Sequence, residues 1–218
     1  MTPYYEHAGI TIYHGDCRDW CPPTESVITD PVWPNCPAGL LAGSDDPQGL
    51  LGEFWASISM THIKRATFIL RHDSDPRFLA PVPLPYCRAS ILPYVMPGYL
   101  GRWLGGDELA YSFGEPIERR EGQIVIPGRA PSVQPGERPR NGHPCSRAMK
   151  HMEFLVRWWS EPTDTVLDPF CGSGTTLAAA KNLGRRAIGI EIEERYCEIA
   201  AKRLSQEVFD FSMNEVCA

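Results

Sequence analysis

Two stretches of this chain combine residue types that could do chemistry. In the first, Thr165-Val166-Leu167 runs into Asp168-Pro169-Phe170-Cys171-Gly172-Ser173-Gly174-Thr175-Thr176. A helical stretch Leu177–Leu183, a turn at Gly184 and a second apolar run Ala187–Ile190 ending at Glu191 follow. Strand, glycine turn, helix, strand and terminal acid is the design of a nucleotide-binding βαβ unit. Small residues let the backbone approach a ligand, and an acid about 20 positions on accepts from ribose hydroxyls. Neither GxGxxG nor GxxxxGK(S/T) is present, which disfavours a dinucleotide or a nucleoside triphosphate. The glycines alone fit a tight turn at a helix start equally well. The second stretch, Thr29-Asp30-Pro31-Val32-Trp33-Pro34, closes the β-branched run Val27-Ile28-Thr29. It sets a carboxylate and an aromatic ring at a strand end, where open α/β sheets bind their ligands. In isolation Asp30 could cap a loop and Trp33 could belong to the core.

The words DPFCGSGTT and Gly189-Ile190-Glu191 closely resemble the S-adenosylmethionine site of the DNA amino-methyltransferases. The resemblance implies a turn passing beneath the methionine part of the cofactor. Asp168, Phe170, Gly172, Gly174 and Thr175 would surround the cofactor, and Glu191 would take its hydroxyls. Gly15-Asp16-Cys17 resembles the family's GDC stretch, whose aspartate reaches the adenine; this adds Asp16 and Cys17, although Asp16 could equally be a turn residue. His143-Pro144 resembles the opening of an additional cofactor-side motif. That motif usually continues into a lysine-proline pair, for which only Lys150 might stand in here. A cap before the helix starting at Met149 is the alternative for His143.

Asp30-Pro31-Val32-Trp33 resembles the family's DPPY or DPPW catalytic loop. An exocyclic amine has its lone pair delocalised into the base, so an acceptor must bind its N–H and favour a tetrahedral nitrogen. The Asp30 carboxylate and the Pro31 carbonyl suit that task, and Trp33 offers a face for stacking an extruded base. Val32 departs from the usual second proline and puts the loop's rigidity in doubt, because proline fixes φ and valine does not. Cys36 invites comparison with cytosine C5 methylation, but that chemistry's proline directly before the cysteine is replaced by Asn35, and no ENV-like stretch is present. The catalytic loop precedes the cofactor loop, which resembles the permuted family group. The resemblance covers residues 9–35 and 143–204.

The elements that must position these residues can be read from periodicity. Strands are expected at Ile10–Tyr13 and Val27–Thr29, a helix over Gln48–Arg65, and a buried strand at Ala66–Leu70, which closes one βαβ unit. Apolar stretches at Ala89–Val95, Leu109–Phe113 and Gln123–Ile126 lie in a section broken by proline and glycine, with a polar loop at Pro127–Pro144. Helical spacing returns over Met149–Trp159 and Glu194–Leu204. The expected fold is α/β: a doubly wound, mainly parallel sheet of the Rossmann-like methyltransferase type, with permuted motif order. A single domain, residues 1–218, would carry a target-recognition or loop insert at about 71–142.

Composition sets the outer limits. With 218 residues, 43% apolar and 22% charged, the chain can bury a sizeable core, which excludes a disordered tail or a fibre. No apolar run approaches the roughly 20 residues of a membrane helix, so no membrane and a cytoplasmic location are expected. Eight scattered cysteines without a CxxC pair suggest reduced thiols and no metal. The net charge of −6 opposes non-specific polyanion binding, yet Arg119, Arg120, Arg129, Arg138, Arg140, Arg147 and Lys150 form a basic stretch opposed only by Glu121 and Glu137. It could be a DNA contact surface or a solvated loop.

Together these readings predict a site-specific methyltransferase acting on N6 of a flipped adenine in double-stranded DNA. The aspartate opening the catalytic tetrad favours adenine over cytosine N4. Cytosine N4, an impaired cofactor or DNA binder of the same fold, and a small-molecule methyltransferase are the alternatives. The chain could be a monomer or a homodimer, with or without a restriction partner.

Overall fold

Side chains alternate between the two faces of a strand, and the short β-branched runs of this chain use both faces. In the computed structural model, which describes residues 2–95, 99–100, 103–104, 106–118, 121–122, 127–134, 136–137 and 142–206, they become β1 (Tyr5–His7), β2 (Ile10–His14), β3 (Ser26–Thr29) and β4 (Arg65–Leu70). Further along lie β5 (Tyr86–Leu92), a short hairpin of β6 (Tyr99–Leu100) and β7 (Trp103–Leu104), β8 (Glu108–Gly114), β9 (Thr165–Asp168) and β10 (Arg186–Glu191). Among the described residues one eight-stranded sheet forms, in the order β1-β2-β10-β9-β3-β4-β8-β5. The five strands from β2 to β4 are parallel neighbours, and β1, β8 and β5 are antiparallel additions at the two edges.

Helices α1 (Pro47–Ser57), α2 (Met149–Trp159), α3 (Thr175–Asn182) and α4 (Glu194–Leu204) cover the sheet. Strand alternation decides which helix meets which residue. Ile28, Ile69 and Val166 pack with Leu155, Trp159, Leu177 and Leu204 from α2, α3 and α4. Their neighbours Val27, Phe68, Leu70 and Leu167 pack with Leu51, Phe54 and Trp55 of α1. The sheet is therefore doubly wound, and both expected βαβ units are present: β3-α1-β4 and β9-α3-β10, each with its strands paired in parallel.

Helix α1 ends at Ser57, eight residues before the periodicity alone suggested. The Ser57 hydroxyl donates to the Phe54 carbonyl at 2.9 Å, and β-branched Ile58 is extended, so the last turn is closed by a side chain. Its start is an Asp-Pro signal: Asp46 accepts from the Gly49 N–H at 2.9 Å and Pro47 occupies the first turn. The antiparallel edge strand β1 has no strong sequence pattern and was not expected. Gln123–Ile126 falls outside the described residues.

One ion pair is deep inside. Arg65, opening β4, donates to Asp164 at 2.6 Å and to the Glu115 carbonyl at 3.2 Å, with both charged side chains almost wholly buried. Asp164 also accepts from the Glu161 N–H at 2.8 Å, which ties the turn before β9 to β4. Truncating one partner leaves an uncompensated buried charge, so Asp164→Ala is expected to cost about 3–5 kcal/mol in denaturant unfolding. A joint replacement of both by apolar residues should cost much less.

Candidate active site

The parallel strands deliver their C-terminal ends to one cavity, whose empty volume is about 960 Å³ including its open mouth. It is lined by Gly15, Asp16 and Cys17 after β2, by Asp30 to Trp33 after β3, by Asp168 to Thr176 after β9, and by Glu191 to Glu193 after β10. His143 and Cys145 to Arg147 complete it.

The glycine loop is shaped by close approaches. Gly172 has φ +49, and a Cβ there would lie 2.8 Å from His143 Nε2; Gly174 has φ +71, and a Cβ there would meet the Ala200 Cβ at 2.9 Å. Glu191 orders the loop from below. Its Oε2 accepts from the Gly172 N–H at 2.8 Å and its Oε1 from the Glu193 N–H at 2.9 Å. A carboxylate has about four lone-pair sites, so capacity for two hydroxyls remains. Burial raises the Glu191 carboxyl above its ordinary range, against the two backbone donors. Ile192, directly after it, lines the cavity while 46% exposed, an apolar surface that the sequence reading did not single out.

Asp168 is a brace. Its Oδ1 accepts from the Thr29 hydroxyl at 2.6 Å and the Phe170 N–H at 3.2 Å, and its Oδ2 accepts from the Thr176 hydroxyl at 2.5 Å. The carboxylate thus joins the glycine loop to the residue immediately before Asp30. Burial pushes its pKa up to about 6, although these three donors oppose the shift. An acid with a raised folded pKa adds stability below its unfolded pKa of 3.8, and that contribution is lost as pH rises through about 6. Measured from pH 4 to pH 7, the wild type should therefore lose on the order of 3 kcal/mol relative to Asp168→Asn.

Asp30 does not stand as an isolated carboxylate. Arg147 Nε and Nη2 donate to its two oxygens at 2.5 and 2.6 Å, and Arg147 Nη1 donates to Glu108. The sequence left only Lys150 to stand in for the lysine of the family's lysine-proline pair, and the structure seats Arg147 at the cavity in its place. Lys150 pairs with Glu137 at 2.5 Å, away from the cavity lining, whereas Arg147 is buried within it. Burial alone would lower the Arg147 pKa, but the attraction of Asp30 and Glu108 holds it well above its ordinary value. Ser146 fixes this segment, its hydroxyl lying 3.1 Å from that of Ser173 in the glycine loop.

His143 does not cap α2, whose N-cap is Ala148 without a side-chain bond. Its Nδ1 accepts from the Cys145 N–H at 3.2 Å, and its ring meets Tyr196 edge-on at 4.4 Å. Burial lowers its pKa. The neutral ring then carries its proton on Nε2, the atom nearest Gly172. Asp16 is both a turn residue and a cavity residue: it accepts from the Arg18 N–H at 2.9 Å and pairs with the Arg18 guanidinium at 2.6 Å. Cys17 is buried in the core beneath, its thiol pushed up to about 12 by burial, so its side chain is packing. Thr175 accepts from Arg203 at 2.9 Å, and Phe170 packs edge-on against Phe54 at 5.9 Å while lining the cavity.

The structure also limits two expectations. Trp33 lines the cavity but is only 5% exposed, packed with Val32, Cys36, Leu41, Leu50 and Cys145, and the Arg71 guanidinium lies over its ring 5.8 Å from the centroid, so its ring is not an open stacking face. Cys36 packs behind the loop and not on the cavity lining, and burial raises its thiol pKa. Of the basic stretch, Arg129 is exposed and sits 3.6 Å from Asp107, whereas Arg119, Arg120, Arg138 and Arg140 lie outside the described residues. No helix among the described residues is long and apolar enough to cross a membrane, and none of their His, Cys, Asp and Glu side chains form a metal-binding group of three or more.

Comparison with known proteins places this arrangement in a family. The model of the N6_N4_Mtase family, described as DNA methylase, matches residues 23–202. The chain belongs to that family of S-adenosylmethionine-dependent DNA methyltransferases. Among curated relatives, the Type II methyltransferase M.ScaI of Streptomyces caespitosus is 26% identical over 259 aligned residues, covering 94% of this chain and 84% of the relative. M.HinfI of Haemophilus influenzae is 60% identical over 70 residues, covering 32% of this chain and 20% of that protein. Among solved structures, the M1.HpyAVI–SAM complex aligns with a TM-score of 0.66 at 22% identity, covering 90% of this chain and all of the other. The cytosine-N4-specific PvuII DNA methyltransferase aligns with a TM-score of 0.65 at 17% identity, covering 95% and 90%.

Proposed function

We propose that this chain methylates N6 of adenine in double-stranded DNA, at a short specific site, as the modification enzyme of a restriction-modification system. The observation that carries the reading is a carboxylate, Asp30, opening the catalytic loop on the same cavity as the glycine loop and Glu191. The left-handed Gly172 and Gly174 make a cradle that a Cβ would fill, and Glu191 keeps acceptor capacity above it, which suits an adenosyl amino acid. Glu191 would take the ribose hydroxyls, the turn at Asp16 and Cys17 the adenine, and Phe170, Gly172, Gly174, Thr175 and His143 the methionine part. Asp168 acts as the brace beneath them.

S-adenosylmethionine supplies a methyl on a sulfonium: the amine nitrogen attacks, the C–N bond forms, and the C–S electron pair returns to sulfur. The protein's part is placement. Asp30 and the Pro31 carbonyl accept the amine's N–H bonds, turning its lone pair out of conjugation, and the N–H proton is then lost to water. Proximity and orientation of this kind can account for about 7–11 kcal/mol of barrier lowering. Trp33 stacks the extruded base once the groups packed on its ring, Arg71 among them, move aside. The section at about 71–142 reads the target, and the whole chain works as one domain.

Enzymatic digestion of methylated DNA and mass analysis of its nucleosides tests the base. N6-methyladenine supports the reading, and N4-methylcytosine would replace it with the cytosine reaction. The basic stretch is tested by salt. If Arg129, Arg119, Arg120, Arg138 and Arg140 touch phosphates, DNA affinity falls steeply between 50 and 200 mM salt, by about 500-fold for five contacts, and a flat response would remove them from the interface.

A further inference from the structure

Asp30 is one end of a chain of charges that crosses three separate parts of the fold. Arg147, just before α2, clasps both of its oxygens and donates with its remaining nitrogen to Glu108, the first residue of β8. The Tyr94 hydroxyl, beyond the end of β5, donates to the other Glu108 oxygen at 2.8 Å. Side-chain exposure is 17% for Asp30, 10% for Arg147 and 8% for Glu108, so water screens these charges weakly. Asp30 and Arg147 alone would form a neutral pair. With Glu108 the three groups sum to one negative charge.

That sum bears on the reaction. One positive charge passes from sulfur to nitrogen during methyl transfer, and a neutral pair offers it little. We propose that Glu108 is a positioning residue for methyl transfer: acting through Arg147, it holds Asp30 in place and restores the negative charge that Arg147 cancels, favouring the cationic cofactor and transition state. The inference rests on the reading of Asp30 as the amine's acceptor. It also gives the antiparallel edge of the sheet, which supplies Glu108 and Tyr94, a part in catalysis besides target reading.

The test compares S-adenosylmethionine with S-adenosylhomocysteine, which lacks the methyl and the sulfonium charge. Wild type, Glu108→Gln, Glu108→Asp and Asp30→Ala are titrated with each by calorimetry, and single-turnover methylation of DNA is timed at saturating cofactor. A unit charge about 10 Å away in a partly buried site shifts a cation's affinity by roughly tenfold. Folded Glu108→Gln should therefore weaken S-adenosylmethionine about tenfold more than S-adenosylhomocysteine and slow the single-turnover rate constant at least tenfold. Glu108→Asp, keeping the charge, should recover most of both. A partly unfolded preparation would lower the burst amplitude but not the affinity ratio or the rate constant. Should Glu108→Gln fail to fold, the double variant Glu108→Gln/Arg147→Gln takes its place. Its single remaining charge on Asp30 should keep the affinity ratio within about twofold of wild type while transfer stays slow. An unchanged ratio with a wild-type rate in Glu108→Gln, or a tenfold ratio change in the double variant, would overturn the inference. If Asp30→Ala alone methylates at the wild-type rate, the acceptor reading fails instead, and the ratio still reports on Glu108.

Discussion

Asp30→Ala should lower methyl transfer by about 10²- to 10⁴-fold while leaving S-adenosylhomocysteine affinity within a few-fold of wild type and weakening S-adenosylmethionine by no more than the roughly tenfold that loss of one unit charge entails. The range is that of one preorganised acceptor or donor removed from a water-poor site. The separation of the two effects follows from position. Asp30 directly follows β3, whereas the cradle of Gly172, Gly174 and Glu191 is built from the loop after β9 and the end of β10. Removing the carboxylate leaves Arg147 paired with Glu108, so the side chain stays neutralised and the fold should survive. Asp30→Asn, with the shape kept and the charge gone, should fall in the same range. Single-turnover assays beside calorimetric cofactor titration check both halves of the expectation.

The second large effect belongs to the glycine loop. Gly172→Ala imposes two penalties at once: a left-handed φ of +49, costing roughly 1–2 kcal/mol for a residue with a Cβ, and a clash at 2.8 Å with the tip of His143. The His143 ring is wedged against Tyr196 and held by the Cys145 N–H, so it cannot simply swing away. The loop should give instead, breaking the 2.8 Å bond from the Gly172 N–H to Glu191 and weakening cofactor binding at least tenfold. Gly184→Ala is the matched control. Its φ of +65 carries similar backbone strain, but nothing lies within 4 Å of the added Cβ and it is absent from the cavity lining. It should lower stability by about 1 kcal/mol and leave cofactor affinity unchanged.

Why some of this was legible in the sequence is clear from the elements themselves. The β3-α1-β4 and β9-α3-β10 units were readable because their signals are local: a β-branched run, a Pro or Gly punctuation, and helical spacing within about 30 residues. Helices α2 and α4 matched their expected ends, Met149–Trp159 and Glu194–Leu204. The end of α1 was missed because Ile58 and Ile63 continued the apolar period after a serine had closed the helix. The pairing of β4 with β8, and β8 with β5, at one edge of the sheet depends on antiparallel contacts between separated strands, which periodicity does not report.

The same distinction divides the site. Asp30, Asp168 and Glu191 could be found because each ends or follows a strand within a recognisable phrase. The partnership of Asp30 with Arg147 spans 117 positions, and that of Arg147 with Glu108 spans 39, so no spacing rule reaches them. Arg147 offered one signal, a cation four residues after His143, but the resemblance points to a lysine there and not to an arginine. Trp33 was readable as an aromatic at the loop, while its burial depends on Leu41, Leu50, Arg71 and Cys145, which lie at no regular spacing from it.

The central claim is most directly tested by expressing the wild type and Asp30→Ala in a methylation-deficient host and reading the genomic DNA by single-molecule sequencing. Modified adenines at one recurring short site with the wild type, absent with the variant, are the predicted result. Equal modification by both proteins, or none from a wild type that is folded and binds S-adenosylmethionine, would contradict it.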